Sequence, residues 1–240
     1  VFGGSKRGQA AFMFFDPSIV IQPDFRDYLA PVAAVMSCSE FRSSPAINVV
    51  IDDVAVKYDT SRSYAELQNF QIDTISPYGA NVQTRVMGLT DGQTYFETQA
   101  NVRSQTHQFL KTSCLWFEAI TITIRTIPTV YLAREQLQNK CRYRATLDHE
   151  MKHVEVNRRM AREYAPEIKK VVMNEVRRIG VVGPGPASQR DSIQADMLKA
   201  VNQKVAVVVE KMKREQRARQ QAIDTKREYD RLSKMCGGKF

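Results

Sequence analysis

From Leu147 to Glu155 the chain reads Leu-Asp-His-Glu-Met-Lys-His-Val-Glu, and two of its three histidines lie in that stretch. The spacing constrains the local fold. On an α-helix, residues four apart sit one above the other, so a helical stretch lets His149 and His153 both reach a single metal ion. Glu150 then projects about a quarter-turn round, where it addresses a water without ligating the metal. The flanks agree. Arg134 to Arg162 contains no Pro or Gly and is rich in good helix formers. Leu137, Ala145, Val156, Met160 and Ala161 can give this helix a buried stripe. The competing reading is a surface helix carrying two exposed histidines.

Strand patterns precede the helix. Ile47–Ile51 and Val54–Tyr58 are rich in β-branched residues, and Ser63–Leu67 can form a helical turn. Val82–Met87 and Thr94–Val102 flank Gly88-Leu89-Thr90-Asp91-Gly92, which predicts a hairpin with a five-residue turn. Residues 113 to 133 form the strongest strand segment. Ile120 to Ile127 alternates apolar and polar residues, as in a sheet covered on one face, and Pro128 interrupts it. Pro166 is expected to break the motif helix, and Glu167–Ile179 is then a second helical segment. Residues 180 to 189 read as a Gly- and Pro-rich linker.

Beyond the linker, Ser192 to Met235 has no Pro or Gly. Ile193, Met197, Val201, Val205, Val208 and Met212 recur at helical spacing. The second half turns strongly charged and is expected to project; a coiled coil is marginal, because the apolar repeat is short. The expected architecture is therefore α+β: an antiparallel sheet, the motif helix packed on it, and a long C-terminal helix. Residues 1–45 form an N-terminal arm with a Phe12–Phe15 cluster, 46–180 the α+β domain, and 181–240 the linker and C-terminal helix.

The net charge of +9 comes mostly from Arg and Lys after Lys140. It favours acidic partners, but no nucleic-acid-binding module is present, so most of it reads as a solvated helix face. No stretch approaches the length of a membrane-spanning helix. The four cysteines, Cys38, Cys114, Cys141 and Cys236, match no metal-binding ribbon. Disulfides in an exported chain and free buried thiols are both open from spacing alone.

His149 to Val156, followed by Ala161-Arg162, resembles the motif helix of a bacterial family described as predicted secreted zinc-dependent proteases. The resemblance covers about fifteen residues. It implies a zincin-like fold, a periplasmic or secreted location and peptidase chemistry on Zn2+; the chain begins at Val1 rather than Met, and a removed leader would fit that location. His149 and His153 would hold the metal and Glu150 would be the catalytic base. A third ligand is needed. Glu175 is the first candidate, because some zincins take a Glu from the helix after the motif; His107 is the second. Glu155 points away from the histidine face, and Glu163 lies roughly 15 Å along the axis from His153. Tyr143 and Tyr164 are possible carbonyl-polarising groups that no motif places. If the chain is exported, Cys114–Cys141 is the expected disulfide, tying helix to sheet. The functional expectation is a zinc metallopeptidase, or peptidoglycan-directed peptidase, of the cell envelope acting on protein or peptide. The alternative is an inactive zincin-like subunit of an envelope assembly or secretion complex, binding partners through the Phe cluster and the C-terminal helix. Catalysis would give way to that alternative if Glu175 and His107 both pointed to solvent, or if the cleft were filled by the N-terminal arm or the 190–235 helix; the motif would then be a remnant inside a structural subunit.

Overall fold

A computed structural model of the chain describes residues 37–70, 76–78 and 85–237. The Phe cluster and the first half of the strand expected at Val82–Met87 lie outside those residues.

One strand organises the sheet. β4 (Thr112–Leu132) pairs along its whole length with β3 (Gly88–His107), antiparallel, from Gly88 opposite Leu132 to His107 opposite Thr112. With that edge taken, three shorter strands share the other. β5 (Val181–Pro186) lies antiparallel at Thr112–Trp116. β1 (Ala46–Asp53) lies parallel at Ala119–Thr126, and β2 (Lys57–Asp59) parallel at Thr129–Tyr131. The class is α+β, but the expected antiparallel sheet is corrected: the parallel pairing of β1 and β2 overturns it. Alternation of buried and exposed residues reveals a half-covered strand, not the direction of its neighbour. Here β1 and β2 reach β4 through a long connection and β3 rather than through a hairpin, and such crossovers permit parallel pairing.

Two breaker signals are absorbed inside strands. Pro128 sits where the shared edge is unoccupied, after β1 ends opposite Thr126 and before β2 begins opposite Thr129. Its missing N–H therefore costs no ladder bond on that edge. Gly88 and Gly92 are not a turn but part of β3. They are small because the motif helix lies against them. A Cβ on Gly88 would stand 2.6 Å from Thr146 Cγ2, and one on Gly92 1.8 Å from Asn157 Nδ2.

α1 (Tyr64–Leu67) is one turn with a complete Ser63–Glu66 capping box. α2 (Lys140–Ile179) is a single helix that runs through Pro166, correcting the expected break. Pro166 is exposed, so the Arg162 carbonyl it leaves unbonded faces water, while Tyr164 and Ile168 on either side stay buried. The expected linker is β5 and a short 3-10 turn, its backbone groups bonded to the β4 edge.

α3 (Arg190–Ile223) returns antiparallel to α2, and all six residues of its predicted apolar stripe are buried. With Val156, Met160, Ile168, Val172 and Val176 of α2 they cover one sheet face, against Leu115, Phe117, Ile120, Ile122 and Ile124. The second half of α3 does not project. It lies along the motif end of α2, joined by Glu215 to Tyr164, Arg219 to Glu163, and Gln216 and Gln220 to Asn157. The chain then leaves helical geometry at Asp224 and starts α4 (Lys226–Lys234), capped by Thr225.

Candidate metal centre

Asn139 caps α2, its side chain accepting from the backbone N–H of Cys141 and Arg142. Nearly three turns on, His149, Glu150 and His153 face a space closed by the end of α3, the start of α4 and the first residues of β3. Their exposures are 4%, 5% and 9%, and that of Asp224 is 5%.

Three donor atoms meet there. Asp224 Oδ1 stands 3.1 Å from His149 Nε2 and 3.3 Å from His153 Nε2, and the two Nε2 atoms are 3.4 Å apart. Ligands at three corners of a tetrahedron with metal–ligand bonds of about 2.0–2.1 Å lie about 3.3–3.4 Å from one another. The triangle has the size a tetrahedral metal ion requires.

The proton positions support this. Gln220 Nε2 donates to the His153 carbonyl and to Asn157 Oδ1, which turns Gln220 Oε1 towards His153 Nδ1 at 2.5 Å. An amide oxygen only accepts, so Nδ1 carries the proton and Nε2 keeps its lone pair. Glu228 Oε1 lies 3.4 Å from His149 Nδ1 and fixes that ring in the same way. Two lone pairs and a carboxylate oxygen are thus aimed at one point, an arrangement that repels itself unless a metal ion, or a proton on His153 Nε2 facing Asp224, occupies the centre. Outer partners of this kind orient metal-binding histidines.

The surrounding groups are charged in a consistent sense. Arg231 holds the Glu228 carboxyl well below the usual carboxylate range, and Lys152 and His149 add to this against its partial burial. Burial pushes Tyr229 well above the usual phenol range, with the Asp224 charge and hydrogen bond adding to it. Tyr229 therefore stays protonated and donates to Asp224 Oδ1 at 3.1 Å. Burial likewise raises Glu150, partly offset by the two histidines and by Thr90, whose hydroxyl donates to Glu150 Oε2 at 2.8 Å. Burial opposes a charge on His153, but Asp224 and Glu150 outweigh it and the net shift is upward.

The structure brings together His149, Glu150 and His153 as predicted and replaces both candidates for the third ligand. Glu175 lies on the same continuous helix as His149, roughly 39 Å further along its axis at about 1.5 Å per residue. It is buried there in a two-bond pair with Arg178. His107 ends β3, where its Nδ1 accepts from Leu110 N and closes the β3–β4 hairpin. Glu155 is exposed and paired with Arg162. Asp224 was hidden in a Pro- and Gly-free run that reads as one helix. A signal was present: Thr225-Lys-Arg-Glu228 has the spacing of a helix start, which places Asp224 outside regular helix.

The disulfides are Cys38–Cys114 and Cys141–Cys236, not Cys114–Cys141. Cys114 is at the start of β4 and α2 begins beyond its end, so roughly 50–60 Å of strand separates them.

No family model matches the chain, and no curated protein or solved structure matches it. Among the described residues, no helix is long and apolar enough to cross a membrane.

Proposed function

We propose that the chain is an exported zinc-dependent hydrolase acting on peptide bonds, with His149, His153 and Asp224 as the metal ligands. The observation that carries the reading is the donor triangle with Glu150 beside it. Two imidazoles and a carboxylate suit zinc. When bound, zinc supplies Lewis acidity, polarising a carbonyl and acidifying water. Glu150 takes the proton from the attacking water, and the burial that raises its pKa suits it to hold that proton and return it to the leaving amine. Thr90 holds the Glu150 carboxylate in position, and Gln220 and Glu228 hold the imidazoles. The resemblance of the motif helix to secreted zinc-dependent proteases supports peptidase chemistry, and two disulfides support an oxidising compartment outside the cytoplasm.

A second reading is a zinc-stabilised, non-catalytic subunit of an envelope assembly. The end of α3 and the start of α4 fill the cleft over the motif, which favours this subunit; the hydrolase reading stands first because the same covering segment brings Asp224 to the two histidines. One comparison separates the two. Metal analysis should find about one zinc per chain, and Glu150→Gln should keep that zinc while cleavage of a mixed peptide library drops to background. Equal cleavage by wild type and Glu150→Gln, with zinc bound to both, supports the structural subunit instead. A native chain that takes up no zinc removes both readings.

A further inference from the structure

The segment that covers the metal centre is held unevenly. α4 buries a single residue, Leu232. Its other contacts are Glu228 with Lys152 and His149, Asp230 with the Tyr78 hydroxyl, and half-buried Tyr229, whose hydroxyl meets Asp224 and whose ring lies against His149 and Tyr78. A helix this short has no stability of its own. Behind it, the chain is non-helical at Asp224, while α3 is anchored by buried Val208, Val209 and Met212. Beyond it, Cys236 is bonded to Cys141 in the first turn of α2, a little over two turns before His149. The two disulfides differ in access. Cys38 and Cys114 are 8% and 0% exposed, whereas Cys141 is exposed and Cys236 half-buried.

We propose that α4 is a lid latched by Cys141–Cys236, and that reduction of this disulfide by a dithiol releases α4 from the motif helix and opens the His149–His153–Asp224 centre. The use of the opened centre rests on the hydrolase reading above; the latch itself does not. In the reduction, a thiolate of the dithiol attacks one of the two sulfurs and forms a mixed disulfide. The second thiol of the reductant then resolves it. Two electrons and two protons pass to Cys141 and Cys236, which become thiols, and the reductant leaves as its own disulfide. Cys38–Cys114 is inaccessible and stays oxidised. Opening pivots at Asp224–Thr225. It removes Tyr229 from Asp224 and Glu228 from His149, so the opened centre holds the His149 ring less firmly, and it leaves His149, His153, Glu150 and Gln220 on helices that stay packed.

The test uses the full chain, oxidised or treated with dithiothreitol under native conditions, with disulfide mapping to show that only Cys141–Cys236 is reduced. Backbone amides of α4 should exchange at least about tenfold faster after reduction, with those of α2 from Val156 onward unchanged. Carbethoxylation of His149 should accelerate in parallel, with His107 as internal reference. The Cys141→Ser, Cys236→Ser double variant should show both changes without reductant. Reduced chain whose α4 exchanges as slowly as the oxidised chain overturns the latch. Faster α4 exchange with no gain in His149 reactivity overturns the lid. These measurements need no zinc and no turnover, so a chain that proves not to be a hydrolase is still decided by them.

Discussion

α2 and α3 meet twice, with different chemistry. From Val156 to Ile179, α2 meets the first half of α3 through Val, Ile and Met over a sheet face of the same kind. From His149 to Asn157 it meets the end of α3 through His, Gln, Asn and Asp. The apolar contact is non-directional and tolerates exchange of one aliphatic for another. The polar contact is directional: each amide and imidazole has an assigned partner, and three acceptors converge on one point. The first meeting holds the helices together, and the second uses that rigidity to place three ligand atoms within a few tenths of an ångström of tetrahedral spacing.

The contrast can be broken from either end. The largest effect is expected at Asp224. Asp224→Ala should weaken zinc binding beyond the ~10–100-fold typical of outer partners, as read by competition with a chromophoric chelator, while leaving the α2–α3 core folded. Next, Ile168→Ala, at a fully buried position, should cost about 2–5 kcal/mol of unfolding free energy and leave zinc affinity unchanged. Zinc affinity that falls with Ile168→Ala would show that the two meetings are one cooperative unit. Gln220→Ala or Glu228→Gln should lower zinc affinity by about 10–100-fold with a smaller change in stability. An unaltered affinity in both would mean that the imidazoles orient themselves.

The smallest effect is on pH dependence. In the zinc-free chain Glu150 and His153 both hold protons more tightly than when unfolded. Their contribution to stability is complete below their ordinary pKa values and is lost as pH rises through and beyond the ordinary carboxylate and then histidine ranges. Glu228, shifted downward, acts the other way and only in the acid range. Thermal melts with chelator should therefore fall between about pH 5 and about pH 8. Melts with zinc should rise over the same range, because the ligands bind metal deprotonated. Parallel profiles would dissociate zinc from these residues.

The apolar meeting was legible in the sequence, and the polar one only in part. Burial of a helix stripe is a periodic property, so Ile193 to Met212 could be read directly, as could the strand around Ile120–Ile127. His149 and His153 are legible because their spacing is local. Asp224 is far from them in sequence and arrives through a helix end marked only by Thr225 and Glu228. Pro166, Gly88, Gly92 and residues 181–186 misled for a common reason. Breaker residues report local backbone preference, while solvent exposure, a close helix and a waiting strand edge decided what the chain did there. The direction of β1 and β2 had no local signal.

Among the described residues every other strand of the sheet pairs with β4 alone, and this sets an order of events during synthesis. The β3–β4 hairpin is made of neighbouring segments and can close on its own, with His107 and Leu110 at its tip. β1 and β2 are made first but have no partner until β4 emerges, so they wait as open strands that another chain can capture. β5 arrives later and takes the remaining length of the β4 edge, and α3 then joins α2 over the apolar face of a sheet already assembled. An emerging chain is therefore most vulnerable to association while the stretch between Asp59 and Thr112 is being made. Fragments that stop before Leu132 should accumulate as aggregates rather than as folded pieces.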